Sequence, residues 1–412
     1  MESLKSKNSP INLYLLSIVI TMIGSIIRLQ LDSQLIGNTF RIIGFFILMY
    51  SILKQLLNKD KPKLTFWMRF LLYWNTINIL YTAISSGINA TRLLGEESYL
   101  LSFMLPYLLL YDVRSLNIKK LFSYSFIFIL FALVIIASNY EYIIMANNLN
   151  YILNVIDNTD GIASFAQIPI MWSIPAAILF MNINFVKNKY LIVTIIAYIL
   201  AISFSMTFGR RSTSAYGVIF LLIGGWMFMK NPEFSPRTKF SFTIIFITLT
   251  LVASFYAVNK FSYLLERGLE DSRSGVVDAF HDDMEIHEYV IGRGLNGVYY
   301  DELNVFDKSN NLRTSIETGY LNIILHAGCL FLVPYIIICL YSAYCGYRKS
   351  KNSLIKSFAI YILLNTLMLY IGSYPGFNLR FFILWVGILL CNNNQMLSMT
   401  NKEIKEYFKL SK

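Results

Sequence analysis

Apolar residues in this chain gather in long blocks and do not alternate with polar ones. Blocks such as 11–31, 121–139, 190–208, 240–258 and 320–341 come close to or exceed the roughly 20 residues a helix needs to cross a bilayer. In hydrocarbon there is no water to bond backbone N–H and C=O groups, so such blocks must be helical. Read in order, the pattern predicts twelve spans, at 11–31, 36–57, 66–86, 95–111, 119–139, 165–184, 189–208, 212–229, 239–259, 316–343, 353–372 and 378–393. The expected fold is an all-α, polytopic transmembrane helix bundle, one domain over 1–412, with a long, partly structured loop at 260–315. No small-residue cleavage site follows the first block, which therefore reads as a retained helix.

Composition and charge sharpen this picture. Apolar residues make up 56% and charged residues 14% of the 412, against about 25% charged in an average soluble domain. The net charge of +11 does not mark a nucleic-acid binder, because the cations fall in short loops between apolar blocks, where they set orientation. With twelve spans and Lys5 and Lys7 at the start, both termini are expected in the cytoplasm. That side then holds 23 Lys and Arg against 6 Asp and Glu, and the outer side the remaining 12 and 18. Cys329, Cys339, Cys345 and Cys391 lie in or beside apolar blocks without metal or disulfide spacing, and read as small buried residues. Lys402 to Lys412 reads as a short basic helix near the cytoplasmic leaflet.

Two outer loops are long. The first, 140–164, has no Lys or Arg; the second, 260–315, is dense in Arg, Asp, Glu and Gly, and its apolar runs at 274–280, 289–295 and 298–306 imply folding against the bundle. Between two apolar blocks stands Gly209-Arg210-Arg211-Ser212, two arginines placed against the orientation rule. At a helix start, guanidinium forks and backbone N–H groups together suit a phosphate-rich anion, though arginines can also snorkel to headgroups. The long loop adds Arg267, Arg273, Arg293 and Arg313, all arginine, which suits bidentate phosphate contacts. Local carboxylates such as Glu266, Glu270 and Asp271 are competing partners, most of all for Arg267. Gly292-Arg293-Gly294-Leu295-Asn296-Gly297 fits G-x-G-x-x-G, but no βαβ unit surrounds it, and a tight turn presenting Arg293 is the better reading. Glu317 opens the tenth span, where a carboxylate could take a proton from a hydroxyl; Thr314-x-x-Glu317 is also a capping-box spacing. His281, Asp282, Asp283, Glu285 and His287 match no strong metal motif and read as a solvated face. His326 falls inside the tenth span as an interhelical hydrogen-bonding residue. Arg380 opens the last span and is placed to face a cavity. The tryptophans at 67, 74, 172, 226 and 385 read as interface anchors or packing.

The order of these features resembles the O-antigen polymerase and ligase superfamily. A span ends in Thr207-Phe208-Gly209-Arg210-Arg211-Ser212, the outer loop opens with Asp271-Ser272-Arg273, a Gly-x-Gly turn follows at 292–294, and Glu317-Thr318 is followed by nine residues and then Gly328. The likeness runs over about 207–333, with the first half matching only as a pattern of spans. It implies a bacterial inner-membrane glycosyltransferase with a periplasmic loop, acting without metal or other cofactor on an undecaprenyl-pyrophosphate-linked oligosaccharide. Arg211 and Arg273 would hold the pyrophosphate, with Arg210, Arg293, Arg313 and Arg380 as further ligands and Glu317 as the base. Ligases of the superfamily usually carry His where Glu317 stands, so the resemblance implies a polymerase joining repeat units. Its partners would be the lipid-linked glycan and membrane lipid, with room for a chain-length regulator and none for nucleic acid. A flippase for the same lipid-linked sugar would share the span count and a basic cavity, but its charge would not concentrate in one outer loop.

Overall fold

The computed structural model describes residues 9–30, 33–58, 62–85, 99–138, 172–207, 211–230, 235–237, 239–240, 243–244, 248, 274–302, 311–370, 372 and 375–410. In chain order its helices are α1 (Pro10–Gln30), α2 (Gln34–Leu56), α3 (Phe66–Ser85), α4 (Tyr99–Met104), α5 (Ile118–Ser138), α6 (Ala177–Met181), α7 (Asn188–Thr207) and α8 (Arg211–Lys230). They continue with α9 (Ser274–Asp283), α10 (Ile286–Ile291), α11 (Gly319–Ala327), α12 (Cys329–Lys349), α13 (Ser353–Leu367), α14 (Leu379–Cys391), α15 (Asn394–Ser398) and α16 (Asn401–Tyr407). Strands β1 (Tyr299–Tyr300) and β2 (Leu312–Arg313) pair antiparallel, Tyr299 opposite Arg313. The described residues are mostly helical, and four helices are long and apolar enough to cross a membrane: α1, α2, α5 and α12. The fold is that of an all-α membrane protein.

Most apolar blocks end where the polar residues said they would. Among the described residues, three do not form single helices. The fourth becomes α4 followed by a 3-10 turn, Leu105–Leu110, because Pro106 lacks the N–H an α-helix would use. The described part of the sixth is cut by Pro175 into short α and 3-10 pieces. The tenth, expected as one helix over 316–343, is two helices separated at Gly328. Most of the ninth, the loop 140–164 and 249–273 lie outside the described residues.

The chain forms two compact units. One comprises Met1–Asn117 and Ser272–Ile404, the other Ile118–Asp271 and Lys405–Lys412. In the first unit, α1 and α2 pack with their backbones close. A Cβ on Gly24 would stand 2.7 Å from the Gly37 carbonyl, and one on Gly44 would stand 2.3 Å from Thr21 Oγ1. Small residues are what permit such an approach where water supplies no hydrophobic drive. The buried positions of α2 (Gly37, Arg41, Gly44, Leu48, Ser51, Gln55) fall on one stripe at three- and four-residue spacing. Ser51 Oγ donates to the Pro10 carbonyl at 2.6 Å, so the Tyr111 hydroxyl 3.0 Å away must donate to Ser51. All of α14 is buried, which explains its apolar character on every face. In the second unit, the Phe180 ring of α6 lies against Gly224 of α8 and edge-on to Tyr198 of α7 at 5.0 Å.

Gly44→Leu should force α1 and α2 apart and cost about 1–3 kcal/mol. A lowered unfolding midpoint of the detergent-solubilised protein against wild type checks this.

Candidate functional site

The break at Gly328 organises the first unit. Gly328 has φ +68, a left-handed value that side-chain-bearing residues avoid, and its N–H closes α11 on the Ile324 carbonyl at 2.9 Å. A helix ending here leaves its last carbonyls without intrahelical donors. Three distant groups supply them. The Arg293 N–H donates to Leu325 O at 2.7 Å, Asn78 Nδ2 to His326 O at 2.9 Å, and Trp74 Nε1 to Ala327 O at 2.8 Å. Trp74, Asn78 and Thr82 recur every four residues along one face of α3, and Thr82 Oγ1 accepts the Leu295 N–H at 2.8 Å.

The glycine turn at 292–294 is the other half of this joint. Gly292 has φ +80, and a Cβ there would meet the Ala327 nitrogen at 2.6 Å; a Cβ on Gly328 would meet Val290 O at 2.1 Å. Backbone thus lies on backbone, and the glycines serve this contact in place of a nucleotide. His326 Nδ1 stands 3.2 Å from the Gly294 carbonyl, which can only accept, so Nδ1 carries the proton.

Arg293 does not extend from the turn toward a ligand. Its Nε donates to Glu288 Oε1 (2.9 Å), its NH2 group to Glu288 Oε2 (2.7 Å) and the Asp283 carbonyl (2.5 Å), and its NH1 group to Val298 O (2.7 Å) and Asp283 Oδ2. A guanidinium has five N–H bonds, and all five are committed. In this structure Arg293, expected as a further pyrophosphate ligand, uses these bonds to fasten the loop. The hydrogen bond from Arg293 holds the Glu288 carboxyl below its ordinary range against the opposing effect of burial. Burial pulls the guanidinium down, but its bonds to Glu288 and Asp283 outweigh that and leave it raised.

Arg313 and Glu317 both act on Tyr299, which stands opposite Arg313 in the short sheet. Arg313 Nε forms an ion pair with Asp301 at 2.6 Å, and the Asp301 side chain is fully buried. Burial pushes the Tyr299 phenol up to about 12; the Arg313 charge opposes this, and the Asp301 and Glu317 carboxylates add to it. Glu317 is exposed. It does not sit at the third position of a helix capped by Thr314, because α11 begins at Gly319 with Thr318 as its N-cap. The capping-box reading of Glu317 is therefore set aside.

Beside the break is a small cleft of about 20 Å³. Ser102, Asn322 and His326 supply its polar wall, and Phe103, Phe331 and Pro375 its apolar one. Asn322 Oδ1 accepts the Ile316 N–H at 3.1 Å, tying the segment that carries Glu317 to the cleft wall. Asn322 and His326 are one turn apart in an otherwise apolar helix, a spacing visible in the sequence that marks a polar stripe. Arg41 is a further cation the sequence reading passed over: it is buried in α2 and donates to Ser25 Oγ at 3.0 Å.

The remaining candidates are placed elsewhere. Arg380 is 3% exposed, and its Nε donates to Asn365 Oδ1 at 2.6 Å, so it faces the interior of the first unit. Arg211 opens α8 in the second unit, at the helix start the sequence implied. Arg210, Arg267 and Arg273 lie outside the described residues. The His281 to His287 string turns to separate partners: His281 Nδ1 to the Tyr289 hydroxyl at 2.7 Å, His287 to Glu285 at 3.2 Å, and Asp283 to Arg293. Among the described residues no group of three or more His, Cys, Asp or Glu could hold a metal ion. No family model, curated protein or solved structure matches the chain.

Gly328→Ala should undock the loop, since both its φ and the Val290 carbonyl oppose a side chain. Protease nicking within 284–300 of the detergent-solubilised protein should rise sharply. Arg293→Lys, with three donors in place of a five-donor fork, should cost roughly 1.5–3 kcal/mol and raise the same nicking. Because the folded-state pKa of Glu288 is lowered, its contribution is present above the usual carboxylate range and lost as pH falls through the lowered value. Nicking of wild type should therefore increase only in that acid window, and Glu288→Gln should remove most of the added sensitivity.

Proposed function

We propose that this protein is an O-antigen polymerase of the bacterial inner membrane. It transfers a growing glycan from undecaprenyl pyrophosphate to a sugar hydroxyl of an incoming lipid-linked repeat unit on the periplasmic face. The observation that carries this reading is exposed Glu317 placed near Tyr299 and the Arg313–Asp301 ion pair, on a folded loop that packs against α12. The motif order from Arg210-Arg211 through Arg273 to Glu317 supports it. The reading carries twelve spans, cytoplasmic termini and a periplasmic loop at 260–315, and it assigns the chain no cofactor.

In the reaction, the acceptor hydroxyl oxygen bonds to the anomeric carbon of the donor glycan. The bond from that carbon to the pyrophosphate oxygen breaks, and the electron pair leaves with the pyrophosphate. Glu317 takes the hydroxyl proton. Arg211 and Arg273 stabilise the charge developing on the leaving group, where preorganised cations contribute most.

One observation favours a second reading, a flippase for the same lipid-linked sugar. Transporters often bind substrate where a membrane helix is interrupted, and the chain is interrupted at Gly328 beside a small cleft that Asn322 and His326 help to line. A strain lacking the gene separates the two. Lipopolysaccharide core bearing a single repeat unit is the polymerase outcome; core without O-antigen points to the flippase, or to a ligase if lipid-linked polymer accumulates. Within the polymerase reading, Arg211→Ala and Arg273→Ala should abolish the ladder at normal protein levels. Glu317→Gln should shorten or remove it, and a wild-type ladder from that variant would end the role of Glu317 as base.

A further inference from the structure

We propose that the turn between α12 and α13, with the segment 394–404 clasped to it, binds the headgroup of an anionic glycerophospholipid. This needs only the membrane character of the fold and is independent of the polymerase reading.

The site stands at the end of a helix long and apolar enough to cross a membrane. The 21 residues of α12 make about 30 Å of helix, the thickness of the hydrocarbon core. Its last turns therefore reach the headgroup layer. Tyr341, Tyr344 and Tyr347 recur there every three residues and are roughly half exposed, as amphipathic rings are at a membrane surface. Arg348, Lys349 and Lys351 follow, all exposed.

Orienting a span would need no more than these three cations. The fold adds to them. Asn352 is fully buried, and its Nδ2 donates to Met396 O at 3.0 Å and Met399 O at 2.9 Å. The Lys351 N–H donates to Leu397 O at 3.0 Å, and Asn401 Oδ1 accepts the Ser353 N–H at 2.7 Å and its hydroxyl at 3.1 Å. This clasp brings Lys402, from beyond α14, to the turn that carries Lys351. Segments 348–356 and 394–404 together hold five cations, at 348, 349, 351, 356 and 402, against one acid, Glu403. Thr400 N–H and Oγ both donate to Glu403, which commits its carboxylate to the start of α16. Those bonds hold it below its ordinary range, and the Lys351 charge adds to the effect. The start of α13 is not the anion site, because Asn401 and Asn352 already accept the Ser353 and Ile355 N–H groups. The cations are what remains to meet a phosphate. About four to eight basic residues just outside a span are what draws anionic headgroups, and the clasp fixes the backbone of these before the lipid arrives.

Native mass spectrometry of the full detergent-solubilised chain tests this, with phosphatidylglycerol and phosphatidylcholine as probes. Wild type should retain phosphatidylglycerol in preference. Each basic residue at an anionic surface contributes about fivefold in affinity, so Lys351→Gln with Lys402→Gln should weaken that retention about 25-fold. Lys119→Gln with Lys120→Gln removes two exposed cations at the start of another span, α5, and should leave it unchanged. Equal retention of the two lipids, or equal loss in the two double variants, would overturn the proposal. Displacement of the lipid by glycerol phosphate at the same concentration would do so too, since a soluble anion would then suffice. On the unmodified chain in nanodiscs, phosphatidylglycerol with a photoreactive headgroup should label 348–356 or 394–404; label elsewhere without these segments would equally overturn it.

Discussion

A helix that stops inside a bundle, away from water, leaves carbonyl oxygens whose desolvation must be met by other donors. In this chain that requirement arises at Gly328, and much of the first unit is arranged around it. Trp74 and Asn78 on α3 and the main chain of Arg293 each supply one donor to α11. The loop is therefore part of the solution to the helix end and not an appendage on the bundle. Removing any one donor exposes an acceptor in a low-dielectric setting, where each unmet hydrogen bond costs about 1–3 kcal/mol.

Electrostatics complete the joint from the loop side. Arg293 draws two carboxylates and two carbonyls around itself, so α9, α10 and the start of β1 are held by a single guanidinium. The neighbouring Arg313–Asp301 pair does the same for the second strand. Glu317 emerges just beyond these two clusters, on a segment tied to the cleft by Asn322. Its position is thus constrained through its neighbours in the chain.

How much of this could be read from the sequence depends on the kind of constraint. Helix ends were legible, because a change from apolar to polar residues is what terminates them: Asn188, Arg211 and Ser353 open helices close to the expected positions. The break at Gly328 was not, since Ala327-Gly328-Cys329 is small and apolar and leaves the hydrophobic block unbroken. Only the positive φ reveals it. The partners of Arg293 were equally hidden, because the loop holds many carboxylates and composition cannot choose among them. The stripe of Trp74, Asn78 and Thr82 and the pair Asn322 and His326 were present in the sequence at helical spacing. What they bond lies more than 200 residues away, or on another element.

That separation bears on how the protein is made. Trp74 and Asn78 emerge from the ribosome 253 and 248 residues before the carbonyls they bind. At synthesis rates of about 5–20 residues per second, α3 waits for ten seconds or more before its polar face can close. During that interval its indole and amide donors must rest against water, lipid headgroups or the insertion machinery. A chain shortened anywhere before residue 328 would leave α3 permanently in that waiting state, a natural mark for quality control to recognise.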